Sequence, residues 1–227
     1  SDWSSDVCSS DLALRTIGRE SEGLVALGKA LAGDLGASFA SAVDLIRRSS
    51  GRVGVTGVGK SGHIARKIAA TLASTGTLAF FIHAAEAGHG DLGMVSPDDV
   101  ILALSWSGES VELRMVVEYA RRFSIRLIAV TSSAESALGK AADVVLALPQ
   151  AAEACPHGLA PTTSALMQLA IGDALAVALL DGRGFSAADF RAFHPSGKLG
   201  ASLHFLRDVM HTGEQIPLIR QIGRAHV

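Results

Sequence analysis

The segment "GVTGVGKSG", Gly54 to Gly62, fits three phosphate-site patterns at once, and its reading decides the fold. Gly54-x4-Gly59-Lys60-Ser61 has the spacing of a nucleotide P-loop, and Gly57-x-Gly59-x-x-Gly62 that of a dinucleotide fingerprint. A third reading is a phosphosugar loop whose glycines open a turn into a helix. A P-loop needs its strand to end just before the first glycine. Upstream of Gly54, however, lies "RRSSGRV", too polar for a buried central strand. The strand is expected to run through Gly54 to Thr56, so that the turn begins at Gly57. No apolar strand ends in an Asp that would hold magnesium, since Asp99 and Asp143 stand at strand starts. The dinucleotide pattern needs an acidic residue at the end of the second strand for the ribose hydroxyls, where this sequence has His83. What the three readings share survives: glycines permit close approach, and helix amides attract an anion.

Outward from this loop, short apolar runs alternate with helical stretches. "RVGVT", "LAFFIH", "DVILALS", "IRLIAVT" and "DVVLALP" read as five strands. Between them, "SGHIARKIAATLAST", "VELRMVVEYARRF" and a short stretch near Ala137 read as helices. A long helix follows from about Thr162 to Leu180, and a shorter one from Ala187 to Phe193. From Ser21 to Arg48 apolar residues recur at spacings of three and four, an amphipathic helix with a break expected near Gly33 and Gly36. The β-α alternation predicts an α/β fold with a parallel sheet between helical layers, and continuously apolar strands agree with burial on both faces. Ligands in such sheets bind outside the carboxyl ends of the strands. The loops there are Gly57–Ser61, His83–Asp91, Ser105–Glu112, Thr131–Ser133 and Gln150–Pro156.

With 227 residues, 48% hydrophobic, 19% charged and a net charge of −2, the chain has the makeup of one globular domain with a sizeable core. The near-neutral balance, without a long basic run, argues against nucleic acid as partner. Cys8 and Cys155 offer no disulfide framework and fit a reducing compartment. "ALMQLAIGDALAVALL" carries Gln168 and Asp173 in its middle and reads as a buried helix rather than a membrane span. Residues 1–12 and the closing "IGRAHV" (222–227) resemble translated adaptor sequence and are expected to be non-native tails without a functional role.

At the sheet's carboxyl end, "SWSGES" (Ser105 to Ser110) offers hydroxyls and a glycine at a helix start, a nest suited to phosphate. Lys60, His83, Glu86, His89, Asp91, Glu109, Glu112, Glu153 and His194 are the titratable groups of these loops. Such a set suffices for aldose–ketose isomerisation, in which a base moves a proton between adjacent carbons while a cation steadies the enediolate. Each also has a plainer role; Glu112, for one, suits a first helical turn.

"GVGKSGHIARKIAATLASTGT", "EAGHGDLGMV", "SGES", "EACPHGLAPT", "GDALAVALL" and "FHPSGKLG" together resemble the arabinose-5-phosphate isomerases of the sugar isomerase (SIS) domain superfamily, along about Gly51 to Leu203. The resemblance implies a SIS-type three-layer sandwich over residues 13–207. It further implies interconversion of D-arabinose 5-phosphate and D-ribulose 5-phosphate through a cis-enediol, without a cofactor. That reaction would supply 3-deoxy-D-manno-octulosonate for lipopolysaccharide in the cytoplasm of a Gram-negative bacterium. By motif position, Lys60, Glu112, Glu153 and His194 would be catalytic. Contacts to the phosphosugar would come from Ser61, Thr75, Gly76, His83, His89, Ser105, Ser107 and Ser110. His83 would also be the place of an inhibitory zinc. The family implies a homotetramer with no nucleic acid or membrane partner, and "RDVMHTGEQIP" resembles a linker (208–221) into an absent pair of cystathionine-β-synthase-type regulatory domains. Trp106 stands where the family commonly has Asn, a bulky indole able to narrow or reshape the phosphate nest. The competing reading is a phosphosugar-sensing SIS module without turnover, as in regulators of this fold.

Overall fold

The computed structural model describes residues 9–184 and 210–216. The chain divides into two units, Ser1–Phe185 and Ser186–Val227. Within the second, the described residues hold one 3-10 turn, Gly213–Gln215. His194, the expected helix at 187–193 and the closing tail lie outside the described residues, as does most of the expected linker.

In the first unit, strands β1 (Val53–Gly57), β2 (Ala79–His83), β3 (Val100–Leu104), β4 (Arg126–Thr131) and β5 (Val144–Ala147) form one parallel sheet in the order β2-β1-β3-β4-β5. Gly54 lies inside β1, opposite Phe80 and Ile101, so the P-loop spacing is broken by the strand itself. Each strand obeys the period of two. Val53, Val55, Leu102, Leu104, Ile128, Val130 and Leu146 face one core, whereas Ile82, Ile101, Ala103, Leu127 and Ala129 face another.

The first core is closed by α1 (Ser9–Leu31), α2 (Asp34–Arg48), α3 (Gly59–Ser74) and α6 (Thr163–Gly182). The second is closed by α4 (Arg114–Arg122), α5 (Ala137–Ala141) and the turns between β2 and β3. This is the expected three-layer sandwich. Helix α6 is predominantly apolar because it is packed into the fold: Met167, Ile171, Leu175, Ala176 and Leu179 are buried. The break expected near Gly33 separates α1 from α2. The start of α1 differs from the sequence reading, for the helix begins at Ser9 rather than near Ser21. Leu14 and Ile17 are exposed there, so this stretch has no apolar stripe for periodicity to detect.

The order of the strands locates the site. Helix α3 leaves β1 over the first core and α4 follows β3 over the second, so the chain diverges at the carboxyl ends of two adjacent strands. That divergence opens a crevice at the β1/β3 boundary.

Candidate active site

The β1–α3 turn forms one wall of the crevice. A side chain on Gly57 would meet the Ser61 carbonyl carbon and oxygen at 2.8 Å, and one on Gly62 would meet Gly57 O at 2.8 Å. Both positions therefore need glycine for the strand and helix to approach this closely. Lys60 is exposed, and Ser61 donates to Gln168 Oε1 on α6 over 2.9 Å.

At the end of β2, the His83 ring stands edge-on to Phe81, with centroids 6.1 Å apart. The Arg66 guanidinium of α3 lies over the same Phe81 ring, 4.0 Å from its centroid. His63, Arg66, His83 and Glu112 line, with the Gly57–Gly59 turn, a cavity of about 280 Å³. Among the described residues none of these four side chains has an ion-pair partner. His89 is exposed in the 3-10 turn Ala87–His89 that follows β2. No cluster of three or more His, Cys, Asp or Glu side chains among the described residues could hold a metal, so a zinc at His83 would need ligands from elsewhere.

After β3 the serine loop closes on itself. Ser105 Oγ and Ser110 Oγ are 2.9 Å apart, the Gly108 N–H donates to Ser105 Oγ over 3.1 Å, and the Glu109 N–H to Ser107 Oγ over 3.2 Å. Gly108 holds φ +71°, and a side chain there would collide with Ser136 Oγ. The Trp106 indole packs against the first core. Its carbonyl accepts from Thr131 Oγ1 (3.1 Å) and Ser132 Oγ (2.8 Å), which ties this loop to the end of β4.

Beyond β5, Glu153 Oε2 accepts from the Thr162 N–H (2.7 Å), Thr162 Oγ1 (2.8 Å) and the Ser164 N–H (3.3 Å). The carboxylate thus caps α6, whose first N–H groups have no partner within the helix. Burial works to raise the Glu153 pKa, but the hydrogen bonds from Ser164 and Thr162 outweigh it and hold the group below its ordinary value. Glu153 lines a different cavity, of about 550 Å³, with Arg15, Arg19 and Cys155. The N–H groups of Ala160, His157 and Leu159 lower the pKa of the Cys155 thiol.

The structure therefore brings Lys60, Ser61, His83, His89, Ser105, Ser107, Ser110, Glu112 and Glu153 to the carboxyl end of the sheet. Within that end, His83 and Glu112 share a cavity that Glu153 does not line. Thr75 and Gly76 lie apart from this group. They follow α3 and precede β2, at the amino end of the sheet. There Thr75 Oγ1 bonds back to Thr71 O (2.8 Å), and Gly76 O accepts from Arg183 (2.6 Å). Motif spacing alone could not tell the first turn of α3 from its far end. Sequence reasoning missed His63, Arg66 and Gln168. The available signal for the first two was their spacing of three, which puts them on one helix face.

A glycine turn and a serine nest flank an unpaired carboxylate, Arg66 and two histidines at a topological switch point, which makes this crevice the candidate site of the α/β scaffold. Residues 45–178 match the SIS domain, and the chain belongs to that family. It is 52% identical to arabinose 5-phosphate isomerase KdsD of Yersinia pestis over 201 residues, 88% of this chain and 60% of that one. To the enzyme of the same name from Pseudomonas aeruginosa it is 50% identical over 208 residues, 91% of this chain and 63% of that one. The chain thus spans about three-fifths of the length of these curated relatives. An E. coli CFT073 protein solved in complex with arabinose 5-phosphate superposes with a TM-score of 0.76 at 40% identity, covering 83% of this chain and all of that one.

Proposed function

We propose that this chain is the catalytic part of an aldose–ketose isomerase acting on D-arabinose 5-phosphate and D-ribulose 5-phosphate. The observation that carries the proposal is the unpaired Glu112 carboxylate beside Arg66, His63 and His83 at the switch point, in a chain half identical to arabinose 5-phosphate isomerases. A carboxylate takes the proton from C2 of the open-chain aldose while O1 gains a proton, giving the cis-enediol. Return of a proton to C1, with loss of the O2 proton, yields the ketose. Glu112 suits the shuttle, because a base needs a free lone pair, whereas Glu153 already accepts three hydrogen bonds from α6 and its cap. Lys60 counters the charge that develops on the enediolate oxygens. His194, carried on the family resemblance, assists ring opening. The serine loop and the β1–α3 turn hold the phosphosugar. By the same resemblance the working form is a cytoplasmic homotetramer that supplies 3-deoxy-D-manno-octulosonate synthesis.

The test is formation of ribulose 5-phosphate from arabinose 5-phosphate by purified protein in EDTA, beside Glu112→Gln. Wild-type turnover is expected, with kcat lowered about 10²- to 10⁴-fold in the variant. Because Glu112 is exposed and unpaired, its Tm should not move. A wild type that binds the sugar phosphate without converting it would leave a sensing module as the function.

A further inference from the structure

Helix α6 attaches to both candidate catalytic loops. Its first N–H groups hold Glu153, and one turn further on Gln168 reaches the β1–α3 turn through Ser61. Residues one turn apart share a helix face, with about 6 Å of rise between them. A single rigid element therefore sets the spacing of the Glu153 loop and the Lys60–Ser61 turn.

The Gln168 side chain is poorly explained by packing alone. It is 1% exposed on a helix whose neighbouring residues Met167, Ile171 and Leu175 are buried and apolar. Its Oε1 accepts from Ser61, and its Nε2 has no partner among the described residues. Reversing the amide would give Nε2 to Ser61 and orphan Oε1, so one end is unpaired in either orientation. A half-satisfied buried amide lowers stability, and an apolar side chain of similar length would fill the space without that cost.

We propose that Gln168 is a positioning residue for the sugar-phosphate site, a reading that rests on the function proposed above. By accepting the Ser61 proton it fixes the first turn of α3. It also sets what Ser61 can recognise. In the amide orientation of the structure the Ser61 proton is committed to Gln168, so the Ser61 oxygen retains only acceptor capacity. That suits a sugar hydroxyl, which can donate, rather than a fully ionised phosphate oxygen, which cannot. Gln168 thereby makes Ser61 a reader of the sugar instead of its phosphate.

The test is a cycle of Gln168→Met, Ser61→Ala and the double variant, with arabinose 5-phosphate as substrate and inorganic phosphate as competitor. Each single variant should raise KM about five- to tenfold with kcat within about twofold of wild type, the size of one lost hydrogen bond. The double variant should be no worse than either single one. The Ki of inorganic phosphate should stay unchanged, and the Tm of Gln168→Met should not fall below wild type. The proposal is overturned if Gln168→Met keeps the wild-type KM, if the two single effects multiply, or if the phosphate Ki rises in step with KM. A wild type that binds the sugar phosphate without turnover sinks the isomerase reading alone. The same cycle, read as Kd by calorimetry, then decides the role of Gln168.

Discussion

At the amino ends of the strands charged groups engage one another, whereas at the carboxyl ends most have no ionic partner. Asp99, 2% exposed, accepts from the Arg52 N–H (2.6 Å), Arg52 Nη2 (3.0 Å) and the Ser96 N–H (2.8 Å), joining the starts of β1 and β3. Asp143 does the same between β4 and β5, accepting from Arg126 Nη1 and the Leu127 N–H, both at 2.8 Å. At the opposite end Lys60, Arg66, His83 and Glu112 are free of ion pairs among the described residues. The difference separates charges that hold strands from charges kept available for a ligand. Cavity size misleads here. A cavity of about 620 Å³ lies at the amino end, yet its Arg126 is paired with Asp143 and its Arg48 lies 3.8 Å from Asp44.

The sharpest way to break this contrast is Asp99→Asn. An amide would turn a donor toward the Ser96 or Arg52 N–H and leave the Arg52 charge without its partner. The cost should be about 3 kcal/mol, a fall in Tm of about 6–12 °C for a domain of this size. Calorimetry should show that loss while kcat stays at the wild-type value. A drop in kcat without loss of stability would mean that the amino end takes part in the chemistry.

Glu153→Gln probes the one carboxylate at the carboxyl end that the fold does use. Its neutral amide still accepts from Thr162 but loses the charge facing the α6 N-terminus, worth about 1 kcal/mol or 2–4 °C in Tm. Turnover should fall at least tenfold, since the same carboxylate holds its loop against the helix that carries Gln168. A kcat within twofold of wild type would reduce Glu153 to a helix anchor.

The smallest effect is on acid stability. In Asp99, burial pushes the pKa up, but hydrogen bonds from the Ser96 and Arg52 N–H groups and the Arg52 charge bring it below the ordinary value. Glu153 is lowered as well, so in both the fold favours the charged form. Their contribution is complete above the unfolded-state values of about 4 and is lost as pH falls through the lower folded-state values. Urea midpoints should be level from about pH 8 to 5.5 and decline below about pH 4.5. Asp99→Asn should flatten that decline more than Glu153→Gln, because Asp99 also faces a cation.

Most of the scaffold was legible because it is local. All five strands fall along the apolar runs, and the buried character of α6 follows from its predominant apolarity despite Gln168 and Asp173. Where local pattern and three-dimensional setting diverge, the reading failed. Leu14 and Ile17 hid the first turns of α1. Trp106 stands among serines in the sequence, yet its ring packs against the core. Thr75 and Gly76 share a motif with Lys60 and Ser61, but the 16 residues of α3 carry them to the other end of the sheet.

The α/β layering, the family and the residue types gathered in the loops after the strands all follow from the order of amino acids. These depend on periodicity, turn chemistry and spacing within a few residues. Folding in three dimensions settled the rest: which of those residues share a cavity, that Glu153 caps α6, and that Ser61 is tied to Gln168. Those outcomes rest on contacts such as the Ser61–Gln168 hydrogen bond, between residues 107 apart in the chain. No pattern of neighbouring residues specifies such a contact, because it exists only once the core has packed α3 against α6.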